Sequence, residues 1–308
     1  MSVNRLCSSG RQAVVTTAQN ILLGACDYGV GGGVEVMSRG GYLSPAVRTG
    51  ARMGDTQLID MMVAALTDPF GVVHMGITAE NLAVEWGVTR EEQGAVESHR
   101  RAAAAIAEGR FKSQIVPIVR RTRKGEVTFD TDEHVRAGTT METLAKMKPA
   151  FKKDGSVTAG NDSGIKDGAA FFVLADAAVA AVADHKPMAR LVSYAVAGVP
   201  NEIMGEGPIP ATKLALKKGG LTLDQIDVIE SNEAFAAQAI AVARGLELDL
   251  KKMNPNGSAI ALGDPIGCSG AFLATKAVYE LHHTGGRYAL VTMCIGGGQG
   301  IAVVFERT

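Results

Sequence analysis

Two stretches of this 308-residue chain carry the same unit, and that repetition limits its possible folds more than any other feature. Residues 7–33 read Cys-Ser-Ser-Gly, a helix-like stretch to Leu23, Gly24, a short apolar run and Gly31-Gly32-Gly33. Residues 267–298 read Gly-Cys-Ser-Gly, a similar stretch to His282, Gly285-Gly286, the apolar run Tyr288 to Met293 and Gly296-Gly297-Gly298. A helix–strand–glycine unit that occurs twice points to an internal duplication. Two sheet-forming halves stack most simply as a layered α/β architecture. The glycines cluster at the ends of apolar runs, where backbone turns sharply or approaches a neighbour closely.

Between the two copies the chain changes character. Thr89-Arg-Glu-Glu92 is a capping-box signature that opens a helix running to about Gly109. From Arg110 to Lys153 the sequence is charged, with short β-like pieces at Ile115–Val119 and Val127–Phe129. This stretch lacks the Ser/Gly- or Pro-rich composition of a linker and reads as an excursion from the sheet. Ala169–Leu174 and Leu191–Val196 are continuous apolar runs of buried-strand type. Ile226–Glu230 reads as a strand, with a helix from Glu233. The expected division is residues 1–38 and 166–184 in a first half, 39–165 in the excursion, and 185–308 in a second half.

Composition removes several classes of function. Lys plus Arg number 31 and Asp plus Glu 32, so no overall charge favours nucleic acid or an anionic membrane surface. The longest apolar runs, such as Ala177 to Ala183, fall far short of a membrane span. No basic segment followed by an apolar stretch opens the chain, so no export signal is expected. Cys7, Cys26, Cys268 and Cys294 form no CxxC pair, the pattern of reduced thiols in a cytoplasmic protein. The histidines offer no metal-ligand spacing, and no metal or cofactor is expected.

Cys7 precedes an apolar helix, where the dipole and free amides stabilise a thiolate and lower its pKa; a small buried hydrophobe is the alternative. Cys294 ends a strand just before a glycine cluster, so its thiol would face a sheet-edge crevice of the kind α/β proteins use for sites. It equally suits a strand-end core position. Cys268 and Cys26 read as structural. Asn232 follows a strand and opens a helix, as a cap or as a fixed amide that orients a water or an oxyanion. Asp264, before Pro265, has the usual position of a turn residue.

Taken together, Ser2-Val-Asn-Arg-Leu-Cys7-Ser-Ser-Gly10, Asn232-Glu-Ala-Phe235, Asn256-Gly257 through Gly267 with Ser269-Gly270, and Cys294-Ile-Gly-Gly-Gly-Gln-Gly300 resemble the thiolases. These are the acetyl-CoA acetyltransferases and 3-ketoacyl-CoA thiolases, and the likeness runs in order along essentially the whole chain. His74-Met75-Gly76-Ile-Thr-Ala-Glu80 and Thr158-Ala-Gly-Asn-Asp-Ser163-Gly164 bring it nearest to bacterial β-ketothiolases of the biosynthetic type. The resemblance implies a duplicated α-β-α-β-α fold with an inserted loop domain, assembled as a homodimer or homotetramer. It also implies chemistry on acyl-CoA and CoA. Cys7 would take the acyl group as a thioester, and Cys294 would move the proton of the second substrate's α-carbon. The amides of Cys7 and Gly296 would hold the acyl oxyanion, and Asn232 would reach the enolate oxygen through a water. Leu66, His74, Met75, Phe151, Ala159, Ser163, Ala234 and Phe235 fall at pantetheine or acyl positions. Arg136 falls where the family places an arginine near the nucleotide, and a guanidinium suits phosphate.

The sequence departs from the family pattern in three ways. Gly263-Asp264-Pro265 stands where the family has Gly-His-Pro, and that histidine activates the nucleophile and donates to the enolate oxygen. An ionised Asp264 donates nothing, raises the Cys7 thiol pKa and repels an enolate, so weakened carbon–carbon chemistry at an intact CoA site is expected. The family also carries a further segment ahead of the cysteine motif, which supplies central strands and helices of the first half. The first sheet is therefore expected to lack its middle and to expose apolar faces, as in a truncated gene or with a misassigned start. Arg11 stands where relatives usually carry Leu, which alters the packing behind Cys7. A silent CoA-binding homologue is the alternative reading. A decarboxylating condensing enzyme of the ketoacyl-synthase kind is a third, against which Cys294 argues.

Overall fold

The computed structural model describes residues 1–94 and 97–308. In the first half α1 (Ser9–Leu22) leads into β1 (Tyr28–Val36). The chain then leaves the sheet through β2 (Tyr42–Leu43), β3 (Ile59–Asp60), α2 (Met61–Ala65), α3 (Met75–Glu85), α4 (Arg90–Gly94) and α5 (Ser98–Ala107). A hairpin of β4 (Ile118–Thr122) and β5 (Gly125–Phe129) follows, then α6 (Met141–Ala145), before the chain returns in β6 (Asp167–Ala175). After α7 (Ala177–Val182) the second half runs β7 (Ala189–Gly198), α8 (Pro208–Gly219), β8 (Val228–Ser231), α9 (Ala236–Leu246) and α10 (Ala259–Leu262). It ends with α11 (Ile266–Thr284), β9 (Tyr288–Ile295) and β10 (Gln299–Arg307).

The duplication is visible in the topology. In each half a helix feeds a strand that pairs antiparallel with the next sheet strand: α1, β1 and β6 in the first copy, α11, β9 and β10 in the second. A glycine turn joins the strands of the second copy, and the whole excursion joins those of the first. The second-half sheet is four-stranded in the order β7-β10-β9-β8, with β8 parallel to β9. One face packs against α8 and α9 through Ala211, Ala215, Ile229, Val242, Leu290 and Val304. The other face packs against α11 and α1 through Val15, Leu273, Ala277, Leu281, Val291 and Val303. Those two helices cross closely, because a Cβ on Gly10 would lie 2.9 Å from the Gly267 carbonyl oxygen. Beyond them lies the two-stranded β1–β6 sheet, whose inner face carries Phe172 against the central layer.

The outer face of β1–β6 is open. Period-two alternation puts Val30 and Val173, opposite one another, at 68% and 77% exposure, with Tyr28, Val34, Val36 and Phe171 beside them. Ala169–Leu174 is therefore not the doubly buried strand its continuous apolar run suggests, because only alternate residues meet the helices. The run Leu191–Val196 is half-buried for a related reason, as β7 is an edge strand. Gly31-Gly32-Gly33 lie inside β1 rather than in a turn. Gly31 and Gly33 are small because the strand presses onto α1 and α11, and a Cβ on Gly33 would sit 1.9 Å from the Gly267 carbonyl oxygen. Gly297 and Gly298 do turn, with φ of 80° and 78°.

In the excursion Thr89 and Glu92 form the expected capping box: the Thr89 N–H donates to Glu92 Oε2 at 2.8 Å, and the Glu92 N–H to Thr89 Oγ1 at 3.1 Å. The helix predicted from there to Gly109 is divided between α4 and α5, and its stretch at 95–96 lies outside the described residues. The two β-like pieces pair as the β4–β5 hairpin, with Ile118 opposite Phe129.

Candidate active site

Cys7 lies in a single 3-10 turn, Leu6–Ser8, that runs straight into α1. Leu6 before it has a φ of 46°, a left-handed conformation that a leucine adopts at a cost of about 1–3 kcal/mol. Three hydrogen bonds hold the turn: the Leu6 N–H donates to Asn4 Oδ1 (3.0 Å), the Arg5 N–H to Ser9 Oγ (2.9 Å), and Ser9 Oγ to the Leu6 carbonyl (2.7 Å). The helix terminus does not yield the expected low thiol pKa. Burial pushes the Cys7 thiol up to about 12, and the Asp264 carboxylate adds to that, while the Gly296 and Cys7 amides pull the other way. Desolvation outweighs the amides here.

Cys294 is the penultimate residue of β9 and is buried. Burial, then the charges of Cys7 and Asp264, hold its thiol well above the ordinary range. The Asp264 charge acts on both thiols and the Cys7 charge on Cys294, so these groups, distant in sequence, lie near one another. Gly296 lies beside them: a Cβ there would lie 3.3 Å from Leu6 Cδ1 and 3.4 Å from Met75 Sδ, so the backbone amide is presented without a side chain. Asn232 does not cap a helix, because α9 begins at Ala236 with Phe235 as its N-cap. Its Nδ2 instead donates to Asp264 Oδ2 at 3.1 Å, and its buried Oδ1 has no partner among the described residues. Asp264 is 7% exposed, and its Oδ1 meets Ser269 Oγ. Burial raises its carboxyl above the ordinary range, against the hydrogen bonds from Ser269 and Asn232.

Most of the residues expected at acyl or pantetheine positions gather beside Cys294. Met75, Ala234 and Phe235 pack with it in one apolar cluster, with Leu66 and Phe151 at its edge. His74 caps α3, its Nδ1 accepting from the Gly76 N–H at 3.1 Å. Its ring stacks on Phe151 at 4.8 Å, and burial lowers its pKa. Ser163 joins through its N–H, which donates to the Ala234 carbonyl at 3.0 Å. Arg136 and Ala159 are not in this cluster. They line a separate cavity of about 260 Å³ with His99, His134 and Asp162. A larger cavity of about 510 Å³ opens between α5 and α9, and none of the expected site residues lines it.

Three residues at the site were given no role from sequence. Ser269 carried a readable signal, since it stands one turn beyond Asp264 at the start of a helix. Leu6 carried none, because only tertiary structure places a leucine in left-handed backbone. Glu35, whose Oε2 accepts from the Gly267 N–H at 3.0 Å, acts on Cys7 from β1 of the same half. Among the described residues no group of three side chains could hold a metal ion, and no helix is long and apolar enough to cross a membrane.

Comparison with known proteins shows the family. The sequence matches the thiolase N-terminal domain over residues 1–178 and the thiolase C-terminal domain over residues 185–307. It is 59% identical to the β-ketothiolase BktB of Cupriavidus necator, over 100% of this chain and 79% of that protein. The crystal structure of the Bacillus anthracis acetyl-CoA acetyltransferase superposes with a TM-score of 0.97 at 45% identity, covering 99% of this chain and 78% of that one. Human mitochondrial 3-ketoacyl-CoA thiolase in complex with CoA superposes at 0.95 and 45% identity, over 99% of this chain and 77% of that one. These matches show that the chain is a member of the thiolase family and carries the thiolase fold.

Proposed function

We propose that this protein transfers an acyl group between coenzyme A thioesters through an acyl-Cys7 intermediate, with the carbon–carbon step slowed by Asp264. The observation that carries the reading is the proximity of Cys7, Cys294 and the Gly296 amide. The Cys7 sulfur attacks the thioester carbonyl, the bond to the CoA sulfur breaks, and the thiol proton leaves with CoA. The amides of Cys7 and Gly296 hold the oxygen that becomes negative. Cys294, once ionised by loss of its proton to solvent, takes a proton from the α-carbon of a second acetyl-CoA and passes it to the Cys7 sulfur as the carbanion displaces that sulfur from the acyl group; thiolysis is the reverse. The unpartnered Asn232 Oδ1 suits a water that donates one hydrogen to it and the other to the enolate oxygen. Leu66, His74, Met75, Phe151, Ser163, Ala234 and Phe235 line the acyl and pantetheine path. Arg136, beside Ala159, meets the nucleotide. The protein acts without metal or other cofactor, in the cytoplasm, as a homodimer or homotetramer, in the division of halves and excursion given above.

The slow step follows from hydrogen-bond supply. A histidine at residue 264 would present a donor to the enolate, whereas both oxygens of Asp264 are engaged by Ser269 and Asn232. One missing oxyanion donor costs about 2.7–4 kcal/mol in barrier height. Incubation with acetyl-CoA should leave an acetyl group on Cys7, seen by mass spectrometry, with slow cleavage of acetoacetyl-CoA by free CoA. Asp264→His should speed that cleavage about 100-fold or more. CoA binding with no acylation at all would instead identify a silent CoA-binding homologue.

A further inference from the structure

The two motifs of the excursion, His74 to Glu80 and Thr158 to Gly164, contain a glutamate and an asparagine that take no part in the chemistry above. Glu80 lies in α3, is 4% exposed, and forms no salt bridge among the described residues. Donors of one short segment meet its carboxylate instead. Oε1 accepts from the Val157 N–H at 2.9 Å, and Oε2 from the Ser156 N–H at 2.9 Å and from Ser156 Oγ at 3.1 Å. A Cβ on Gly155 would lie 2.1 Å from Oε1, so the segment is pressed onto the carboxylate.

A carboxylate can only accept, and that sets the direction of the bonds that follow. Ser156 Oγ donates to Glu80 and accepts from Nε2 of buried Gln93 at 2.8 Å. The Gln93 Oε1 in turn accepts from Asn161 Nδ2 at 3.2 Å. Asn161 also donates to the Ser156 carbonyl at 3.0 Å, and its Oδ1 accepts the Thr158 N–H at 2.7 Å. Its carbonyl accepts the Ala236 N–H at 2.8 Å, and the Ser163 N–H donates to the Ala234 carbonyl at 3.0 Å. Three segments are joined in this way. They carry His74 and Met75 at the start of α3, Ala159 and Ser163 beyond Val157, and Ala234 and Phe235 ahead of α9.

We propose that Glu80 is a positioning residue for coenzyme A, its carboxylate locking the Ser156–Ser163 segment against α3 so that the three segments shape one path for the pantetheine arm. The identity of the ligand rests on the acyl-transfer reading above. Glu80 acts through the segment that it holds, so its effect falls on CoA binding and not on the reactivity of Cys7.

Calorimetric titration with CoA tests this without turnover. Glu80→Gln keeps the side-chain volume but turns an amide NH2 toward backbone N–H donors, whichever way the amide faces. It should weaken CoA binding about 10-fold or more, the worth of one hydrogen bond to a charged group. Alkylation of Cys7 by iodoacetamide, which bypasses the pantetheine path, should keep its rate and pH profile in the same variant. Ser156→Ala removes only the hydroxyl between Glu80 and Gln93 and should weaken CoA binding about fivefold. A Glu80 that served stability alone would lower the unfolding temperature and leave the Kd for CoA of the folded protein unchanged. Unchanged affinity in Glu80→Gln, or in Ser156→Ala where Glu80→Gln does not fold, overturns the proposal and leaves the acyl-transfer reading standing. An altered Cys7 alkylation profile in a folded Glu80→Gln also overturns it. Failure of the wild-type protein to bind CoA overturns both.

Discussion

Arg11 is 1% exposed, yet only its Nε finds a partner among the described residues, the Gly270 carbonyl at 3.3 Å. Both terminal nitrogens are buried without hydrogen bonds, and burial draws the guanidinium pKa down to about 9, opposed by Glu230. That glutamate already has a cation, because Lys276 Nζ lies 2.7 Å from its Oε2 with both side chains buried. The two buried cations should therefore respond in opposite directions. Arg11→Leu removes unsatisfied donors and should raise stability by about 1–3 kcal/mol in urea denaturation. Lys276→Ala strands Glu230 and should lower it by about 3–5 kcal/mol. A destabilising Arg11→Leu would show that the guanidinium is satisfied in solution. Residue types and positions were legible here, including the anomaly of Arg11 behind Cys7. The direction of the Cys7 pKa was not, because a helix terminus is local and the burial that outweighs it is not.

At the scale of elements, close approach matters more than propensity. β1 carries four glycines that a strand would normally avoid, and Gly29, Gly31 and Gly33 are tolerated because β1 presses onto α1 and the start of α11. Gly33→Ala would drive a methyl group into the Gly267 backbone, 1.9 Å from its carbonyl oxygen. It should lower stability by about 1–3 kcal/mol or more and shift the loop that carries Asp264. Gly138→Ala, with nothing within 4 Å of the new Cβ, should change stability by less than about 0.5 kcal/mol. Thermal unfolding of the two variants side by side provides the measurement, and equal melting temperatures would contradict the packing argument. Glycine clustering was visible in the sequence, but its meaning was divided. In the second copy it makes a turn with positive φ, and in the first a contact surface.

At the scale of the whole molecule, the two halves differ in how their sheets are covered. α8 and α9 lie over the outer face of the four-stranded sheet, whereas the corresponding face of β1–β6 presents Val30, Val34, Phe171 and Val173 to solvent. An apolar face with free strand edges promotes self-association. Paired Val30→Lys and Val173→Lys substitutions should reduce both hydrophobic-dye binding and light scattering without loss of secondary structure by circular dichroism. Unchanged dye binding would mean that this face is covered in solution.

The sequence by itself determined the duplication, the layered class, the excursion and the identities of the chemical groups, because periodicity and short motifs are local properties of the chain. Only the tertiary structure decided that Cys7 and Cys294 lie near Asp264 and Asn232, that burial raises the pKa of both thiols, and that one face of the first sheet is bare. Those outcomes depend on burial and on contacts between segments far apart along the chain, and no local pattern encodes how much water a neighbouring segment removes.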